Sequence, residues 1–398
     1  MTNAIFEKFN VPTLTKQQEN DLTTLEAFIE TGLKADDPHV AIIEGAAGTG
    51  KSVLLTALFR RLQTKVKNKV DGFADLDNYF TVNHPELLKV YQALTTDIPE
   101  LRQKDYVRPT SLINRLDKEE RHADVVVIDE GHLLLSKSEP YIRFTQDNQL
   151  HEIIKRAKVV IVVFDFDQVM QSKMLWTPDL LQEQLVGSEI LQLNLNYQHR
   201  VQAPQAIQEW IEAFGHGELR VIPKEHGDYD IQVFDKASDM FSLIKERDAS
   251  VGLSRIVATT GFPRRHPDEH NVYMDDFDLP WDEYDPQKTP WAERPESINE
   301  VGSIYTVQGF DLNYVGVILS PAYEYDDMND RIVVNTDKVT HREIYKRRPD
   351  VTDPATLKAL AQTYMLNTLH VLISWGIKGL YVTAADDKLR NRLLELRG

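Results

Sequence analysis

Eight residues near the N-terminus restrict this chain more than any other feature. Gly45-Ala46-Ala47-Gly48-Thr49-Gly50-Lys51-Ser52 follows a short apolar run, Val40–Glu44, and opens a stretch, Lys51–Lys65, whose apolar residues recur at helical spacing. Strand, glycine loop and helix in that order make a phosphate cradle. The glycines let main-chain N–H groups turn inward, the lysine neutralises charge on the outer phosphates, the hydroxyl serves a divalent cation, and the helix points its positive end at the anion. A strand that feeds a helix in this way sits in a parallel sheet covered on both faces, so the octet commits the chain to an α/β fold.

The rest of the sequence supplies the elements such a fold needs. An amphipathic helix is expected over Leu14–Glu30, with strands at Tyr79–Val82, Val125–Asp129, Val159–Phe164 and Ile190–Leu195 and helical patterns between them. A second series follows a helix near Ala203–Phe214, with strands at Ile231–Phe234, Arg255–Thr260, Val315–Leu319 and Leu380–Thr383 and helices at Ser238–Arg247 and Ala355–Ile373. At 398 residues the chain exceeds one ordinary core, and two domains, 1–200 and 201–398, are the simplest division. Gly261–Pro295 is rich in Pro, Asp and Trp and has no period. It reads as an irregular, surface-exposed acidic insertion at about 261–300. Trp281 and Trp291 serve better there as anchors than as base-stacking platforms. Gly72-Phe-Ala-Asp-Leu76 reads as a loop.

Composition removes several function classes. There are no cysteines, which excludes disulfides, thiol catalysis and cysteine-ligated zinc, and the 12 histidines show no metal-ligand spacing. Met1–Thr13 lacks the pattern of a secretion signal, and the longest apolar run, Val159–Phe164, is far short of the ~20 residues of a membrane helix. The expected location is cytoplasmic, with no membrane partner. A net charge of −17 argues against a broad nucleic-acid-coating surface but leaves room for a local basic groove. Positive charge gathers at Arg60–Lys69 and Arg342–Arg348, and negative charge at Asp268–Asp285, where a protein partner could dock.

A phosphate cradle needs a carboxylate on a neighbouring strand. Val125-Val-Val-Ile-Asp129-Glu130-Gly131-His132 provides one, since an all-apolar run ending in two acids is hard to explain by packing. Asp129 is the candidate to hold Mg2+ through water, with Ser52, and Glu130 the candidate base for the attacking water. Phe164-Asp165-Phe-Asp167-Gln168 ends the next strand, and Gln168 is the candidate sensor of the γ-phosphate. The implied ligand is ATP, or GTP, with Mg2+.

These residues resemble the superfamily 1 DNA/RNA helicases, and most closely the Schlafen group 3-like DNA/RNA helicase domain family, over about Leu14–Val382. The resemblance implies two RecA-like parallel-sheet P-loop NTPase domains with the nucleotide in the interdomain cleft. Leu14-Thr-Lys-Gln-Gln18 is similar to the adenine-reading segment, which makes Gln18 an adenine contact; the plainer reading is a glutamine at a helix start. Thr81-Val-Asn-His84 and Arg108-Pro-Thr110-Ser111 resemble segments that contact a single strand. Leu193-Asn-Leu-Asn196-Tyr197-Gln198-His-Arg200 resembles the fourth motif, so Arg200 is the implied arginine finger. Val301–Asp311 resembles the fifth, specifically at Gln308 and Gly309, with Asp311 in place of the usual glutamate. The sixth motif departs: Ser374-Trp375-Gly376 stands where the family has Thr-Arg-Gly, and His370 where it often has arginine. An arginine finger is worth about 10³–10⁵ in rate, and an indole carries no charge.

The expected function is a nucleic-acid-dependent ATPase or helicase-like translocase acting on single-stranded DNA or RNA. The lost arginine supports an alternative, a slow-turnover ATP-gated switch or regulatory protein. On that reading Trp375→Arg should restore turnover. A third reading, a small-molecule kinase with Arg264-Arg265 as a lid, fits Glu130 and Gln168 less well.

Overall fold

The structure, a computed structural model, describes residues 14–45, 48–195, 203–266, 269–282, 289–307, 311–340, 351 and 353–397. The chain divides into two units, residues 1–169 with 173–198, and residues 170–172 with 199–398.

In the first unit the described elements are α1 (Lys16–Gly32), β1 (His39–Gly45), α2 (Lys51–Lys67), β2 (Asn78–Val82), α3 (Pro85–Leu94), β3 (Tyr106–Val107), α4 (Pro109–Glu119), β4 (Ala123–Asp129), α5 (Gln149–Ile154), β5 (Ala157–Phe164), α6 (Pro178–Gln184) and β6 (Glu189–Leu195). The strands form one parallel sheet in the order β3-β2-β4-β5-β1-β6. The central strands β1, β4 and β5 are covered on both faces, which is why Val40–Ile43, Val125–Ile128 and Val159–Val163 are apolar without alternation and buried. Each such side chain contributes about 1.5–3 kcal/mol of burial. β6 lies at the sheet edge and is largely exposed along its length. Its last pairing sets Leu195 opposite Gly45.

Thr15 caps α1 with a reciprocal box, its hydroxyl accepting from the Gln18 N–H and its own N–H donating to Gln18 Oε1 at 3.0 Å. The basic run on α2 is largely a seam between helices. Arg61 pairs with Glu19 at 2.6 Å, Lys65 with Glu26 at 3.1 Å and Lys67 with Glu100 at 3.5 Å. The other basic run, Arg342–Arg348, lies outside the described residues.

The second unit contains α7 (Gln205–Gly215), β7 (Asp230–Val233), α8 (Ala237–Val251), β8 (Ser254–Ala258), β9 (Asn271–Met274), β10 (Phe277–Pro280), α9 (Ile304–Val307), β11 (Leu312–Leu319), β12 (Tyr323–Asp326), β13 (Arg331–Val334), α10 (Pro354–Ile373), β14 (Gly376–Ala384) and α11 (Asp387–Glu395). Its parallel sheet runs β7-β14-β11-β8, and β9-β10 and β12-β13 are separate antiparallel pairs. Among the described residues no helix is long and apolar enough to cross a membrane.

The insertion is more ordered than its composition suggests. β9 and β10 form a hairpin within it, and Phe262, Val272, Phe277 and Trp281 pack into one cluster with Ala237, Met240 and Ile244 of α8. Trp291 is also buried and donates its indole N–H to Glu300 at 2.7 Å. Both tryptophans therefore anchor the insertion. Four-residue strands are too short to show a period, which is why the sequence reads as irregular there. Arg255, buried on β8, closes the far end by donating to Ser297 Oγ at 2.8 Å and to the Arg294 carbonyl at 3.0 Å while pairing with Asp248.

Asp282 follows the hairpin in a left-handed conformation, φ +55°, and accepts the Ser303 hydroxyl. Burial raises its carboxyl from the ordinary 3.8 to about 6. Across that window the folded chain keeps a proton that the unfolded chain has released, so this group's contribution to stability falls as pH rises. Asp282→Asn, which keeps an acceptor for Ser303, is expected to flatten that slope in thermal midpoints measured between about pH 4 and pH 7.

Candidate nucleotide site

Three strand ends meet around the glycine loop. The β1–β5 register sets Glu44 opposite Phe164, and the β4–β5 register sets Ile128 opposite Val162, so the residues following β1, β4 and β5 share one edge of the sheet. Gly48 and Gly50 have φ of +84° and +82°, a conformation that favours glycine. Gly50 is also the N-cap of α2 and contributes no side-chain cap, which leaves the first-turn N–H groups to an anion. At Gly45 a Cβ would lie 2.8 Å from Thr49 Oγ1 and 3.0 Å from the Leu195 carbonyl oxygen, so close approach requires the glycine.

Lys51 is buried. Its ammonium donates to the Gly45 carbonyl and to Asp165 Oδ2 at 3.2 Å. Burial alone would raise the Asp165 carboxyl, but Lys51 beside it prevails and holds it below the ordinary carboxylate range. Gln168 donates its Nε2 to the same oxygen at 2.6 Å. The end of β5 therefore gathers the cradle lysine and the candidate sensor on one carboxylate.

At the end of β4, Asp129 is 1% exposed. It accepts the Tyr91 hydroxyl at Oδ2 and the Glu130 N–H at Oδ1, the latter at 3.0 Å, and the Ser52 hydroxyl lies nearby. Burial, and then the neighbouring Glu130, push its carboxyl up to about 6 despite these donors. Glu130 holds the left-handed conformation, φ +52°, a strained backbone of the kind found at functional turns. Its Oε2 lies 3.3 Å from His132 Nε2. Burial holds that imidazole down to about 4, so the ring is neutral and the contact is not an ion pair. Gly131 between them allows β4 to exit against β5, since a Cβ would sit 2.5 Å from the Val163 carbonyl oxygen.

These residues fit a nucleoside triphosphate with Mg2+. The loop and α2 offer donors for the phosphates, Lys51 the positive charge, and Ser52 and Asp129 a hydroxyl and a carboxylate near one another. Among the described residues no group of three or more His, Asp or Glu side chains could hold a metal. Mg2+ commonly takes one or two protein oxygens and completes its shell with phosphates and water.

The segment after the acidic pair is tied to the residues that resemble strand contacts. Asn83 donates to the Leu133 carbonyl at 2.7 Å and accepts from Arg108 at 3.0 Å. The wholly buried Gln149 accepts the Leu135 N–H at 2.8 Å and donates to Thr110 Oγ1 at 2.9 Å. His84 is the N-cap of α3.

Of the residues singled out in the sequence, the structure brings Gly45, Gly48, Thr49, Gly50, Lys51, Ser52, Asp129, Glu130 and Gln168 to one edge. Ala46, Ala47, Arg200, Gln308 and Gly309 lie outside the described residues. Gln18 is buried and caps α1. Trp375 is 2% exposed, within the second unit, and His370 contacts Glu212 at 2.9 Å. Arg265, one of the two lid candidates, is held within the insertion by Asp278 at 2.5 Å and by the Tyr273 ring at 3.7 Å. Sequence reasoning missed Tyr91, which reads as an apolar-face aromatic of an amphipathic helix. It also missed the Lys51–Asp165 pair, which only the strand order reveals.

Lys51→Ala should abolish phosphate binding and, separately, strand a buried carboxylate. Breaking a buried pair by removing one partner costs about 3–5 kcal/mol. The double variant Lys51→Ala/Asp165→Asn should recover most of that stability in thermal denaturation without recovering nucleotide binding.

Residues 38–386 match the model of the Schlafen group 3 DNA/RNA helicase domain. The chain belongs to this family. The helicase-domain match includes the glycine loop, the acidic pair and Gln168 and begins after Gln18. An uncharacterized protein of Saccharomyces cerevisiae, YPL245W, is 34% identical over 426 residues, spanning 99% of this chain and 93% of its own. Among solved structures, the Pif1 helicase from Candida albicans aligns with 97% of this chain and 100% of its own at 12% identity and a TM-score of 0.40. The Aeropyrum pernix ORC1 protein in complex with DNA aligns with 62% of this chain and 58% of its own at 15% identity and a TM-score of 0.31.

Proposed function

We propose that this Schlafen group 3 helicase-domain protein hydrolyses ATP with Mg2+ and couples turnover to binding of single-stranded DNA or RNA. The observation that carries this reading is the meeting of Lys51, Ser52, Asp129, Glu130 and the Asp165–Gln168 pair at the ends of three adjacent strands. In this reading the loop amides and Lys51 bind and orient the phosphates, and Ser52 and Asp129 hold the cation, which withdraws charge from the phosphates when bound. Glu130 accepts the proton of the attacking water, and Gln168, released from Asp165, meets the γ-phosphate. Gln18 as adenine contact, Arg200 as finger and Gln308-Gly309 as the coupling segment rest on the resemblance alone. The hydrogen bonds from Asn83 to the Leu133 carbonyl and from the Leu135 N–H to Gln149 support a link between the acidic pair and a strand-binding face.

A second reading, a slow ATP-gated switch whose acidic insertion docks a protein, is favoured by one observation, the burial of Trp375 where the family has an arginine. The kinase reading loses support because Arg265 is engaged within the insertion. Phosphate release with and without single-stranded DNA and RNA, at two salt concentrations, separates the first two. Stimulation of roughly tenfold or more that weakens with salt supports the coupled ATPase. A flat, slow rate with tight ATP binding supports the switch.

A further inference from the structure

We infer that Tyr91 is a positioning residue for the metal-side carboxylate, an inference that rests on the nucleotide reading above and deepens it. The ring of Tyr91 is ordinary core. It is wholly buried in an aromatic cluster, 4.5 Å from Phe80 and 6.2 Å from Tyr106 between ring centroids. Its hydroxyl is not explained by packing, because it leaves the cluster to donate to Asp129 Oδ2. The phenolic O–H is the donor of this bond, and the carboxylate oxygen accepts it.

With Tyr91 on Oδ2 and the Glu130 N–H on Oδ1, both oxygens of Asp129 are pinned. The carboxylate plane is then fixed beside Ser52 before a cation arrives, and lone pairs remain for a metal-bound water. Fixing the group in advance removes the ordering cost from the binding step. Tyr91 also belongs to α3, a ten-residue helix whose N-cap is His84, the last residue of a segment that resembles a strand contact. One short rigid element thus runs from that segment to the carboxylate.

Tyr106 provides an internal control. It belongs to the same cluster, yet among the described residues its buried hydroxyl has no hydrogen-bond partner. The experiment compares wild type, Tyr91→Phe and Tyr106→Phe for binding of N-methylanthraniloyl-ATP in excess Mg2+ and in EDTA. Tyr91→Phe keeps the ring and should lose about tenfold of the Mg2+-dependent gain in affinity, as befits one hydrogen bond to a charged group. Its affinity in EDTA should stay within about twofold of wild type, and Tyr106→Phe should match wild type in both. The Mg2+ concentration for half-maximal turnover should rise about tenfold while kcat at saturating Mg2+ changes less than about threefold. Equal Mg2+ gains in Tyr91→Phe and wild type overturn the inference. So does a loss as large in EDTA as in Mg2+, which would mark a packing role. If wild type itself shows no Mg2+ gain, the metal role of Ser52 and Asp129 falls, and the role of Tyr91 falls with it.

Discussion

Glu130→Gln is expected to lower ATP turnover by about 10²–10⁴ while leaving Mg2+·ATP binding intact or slightly tighter. The amide matches the carboxylate in size, so the left-handed turn at Glu130 and the fit around Gly131 are undisturbed. What it removes is the ability to take a proton from water. The sign of the binding change follows from Asp129, whose carboxyl is raised to about 6 by burial and then by the Glu130 charge. Neutralising Glu130 lifts that second pressure, so Asp129 ionises more readily and should hold the cation no less well. Turnover and equilibrium binding are measured on the same preparation. An affinity loss of more than about tenfold, in step with the rate, would make Glu130 a metal ligand rather than a base.

Trp375→Arg is expected to lower the thermal midpoint by about 10–20 °C and to bring no gain in turnover. Removing a large aromatic from a core costs about 3–5 kcal/mol, and taking a guanidinium out of water adds to that. In domains of this size each kcal/mol is worth about 2–4 °C. The side chain is 2% exposed, and its carbonyl accepts the Leu312 N–H at 3.0 Å at the start of β11. From motif spacing alone the same substitution promises rescue, because the family's arginine is restored in name. Burial reverses that expectation. Trp375→Phe, which keeps an apolar ring, should lose far less stability. A Trp375→Arg protein of unchanged midpoint with at least tenfold faster phosphate release would show that this position reaches the nucleotide after all.

The sequence was most informative where chemistry dictates residue type at fixed spacing. Gly48, Gly50, Lys51 and Ser52 could be placed because few other contexts use that pattern, and the apolar run before Asp129 because a strand buried on both faces leaves little choice of residue. Gly131 reads in the sequence only as one residue of the acidic box; contact with the Val163 carbonyl oxygen explains it, and such contacts depend on which strand lies next door. Tyr91 was illegible for the same kind of reason. Helical spacing put it on the apolar face of α3, and nothing in the sequence says where a phenol oxygen ends up. The two-residue β3 and the hairpin of β9 and β10 fell below the length at which alternation becomes a signal. Arg60–Lys69 read as a candidate basic groove, but its charges are largely matched by Glu19, Glu26, Glu30 and Glu100 across the helix seam.

The edge strand β6 has a mechanical consequence. It is the last described stretch of the first unit before the chain crosses to the second, and its final pairing is with Gly45, the first residue of the phosphate loop. A shift of β6 along its pairing therefore acts on the backbone at the start of the loop without passing through any side chain. Substitutions that loosen β6 should be felt first as a change in nucleotide off-rate, even though no altered residue would touch the nucleotide.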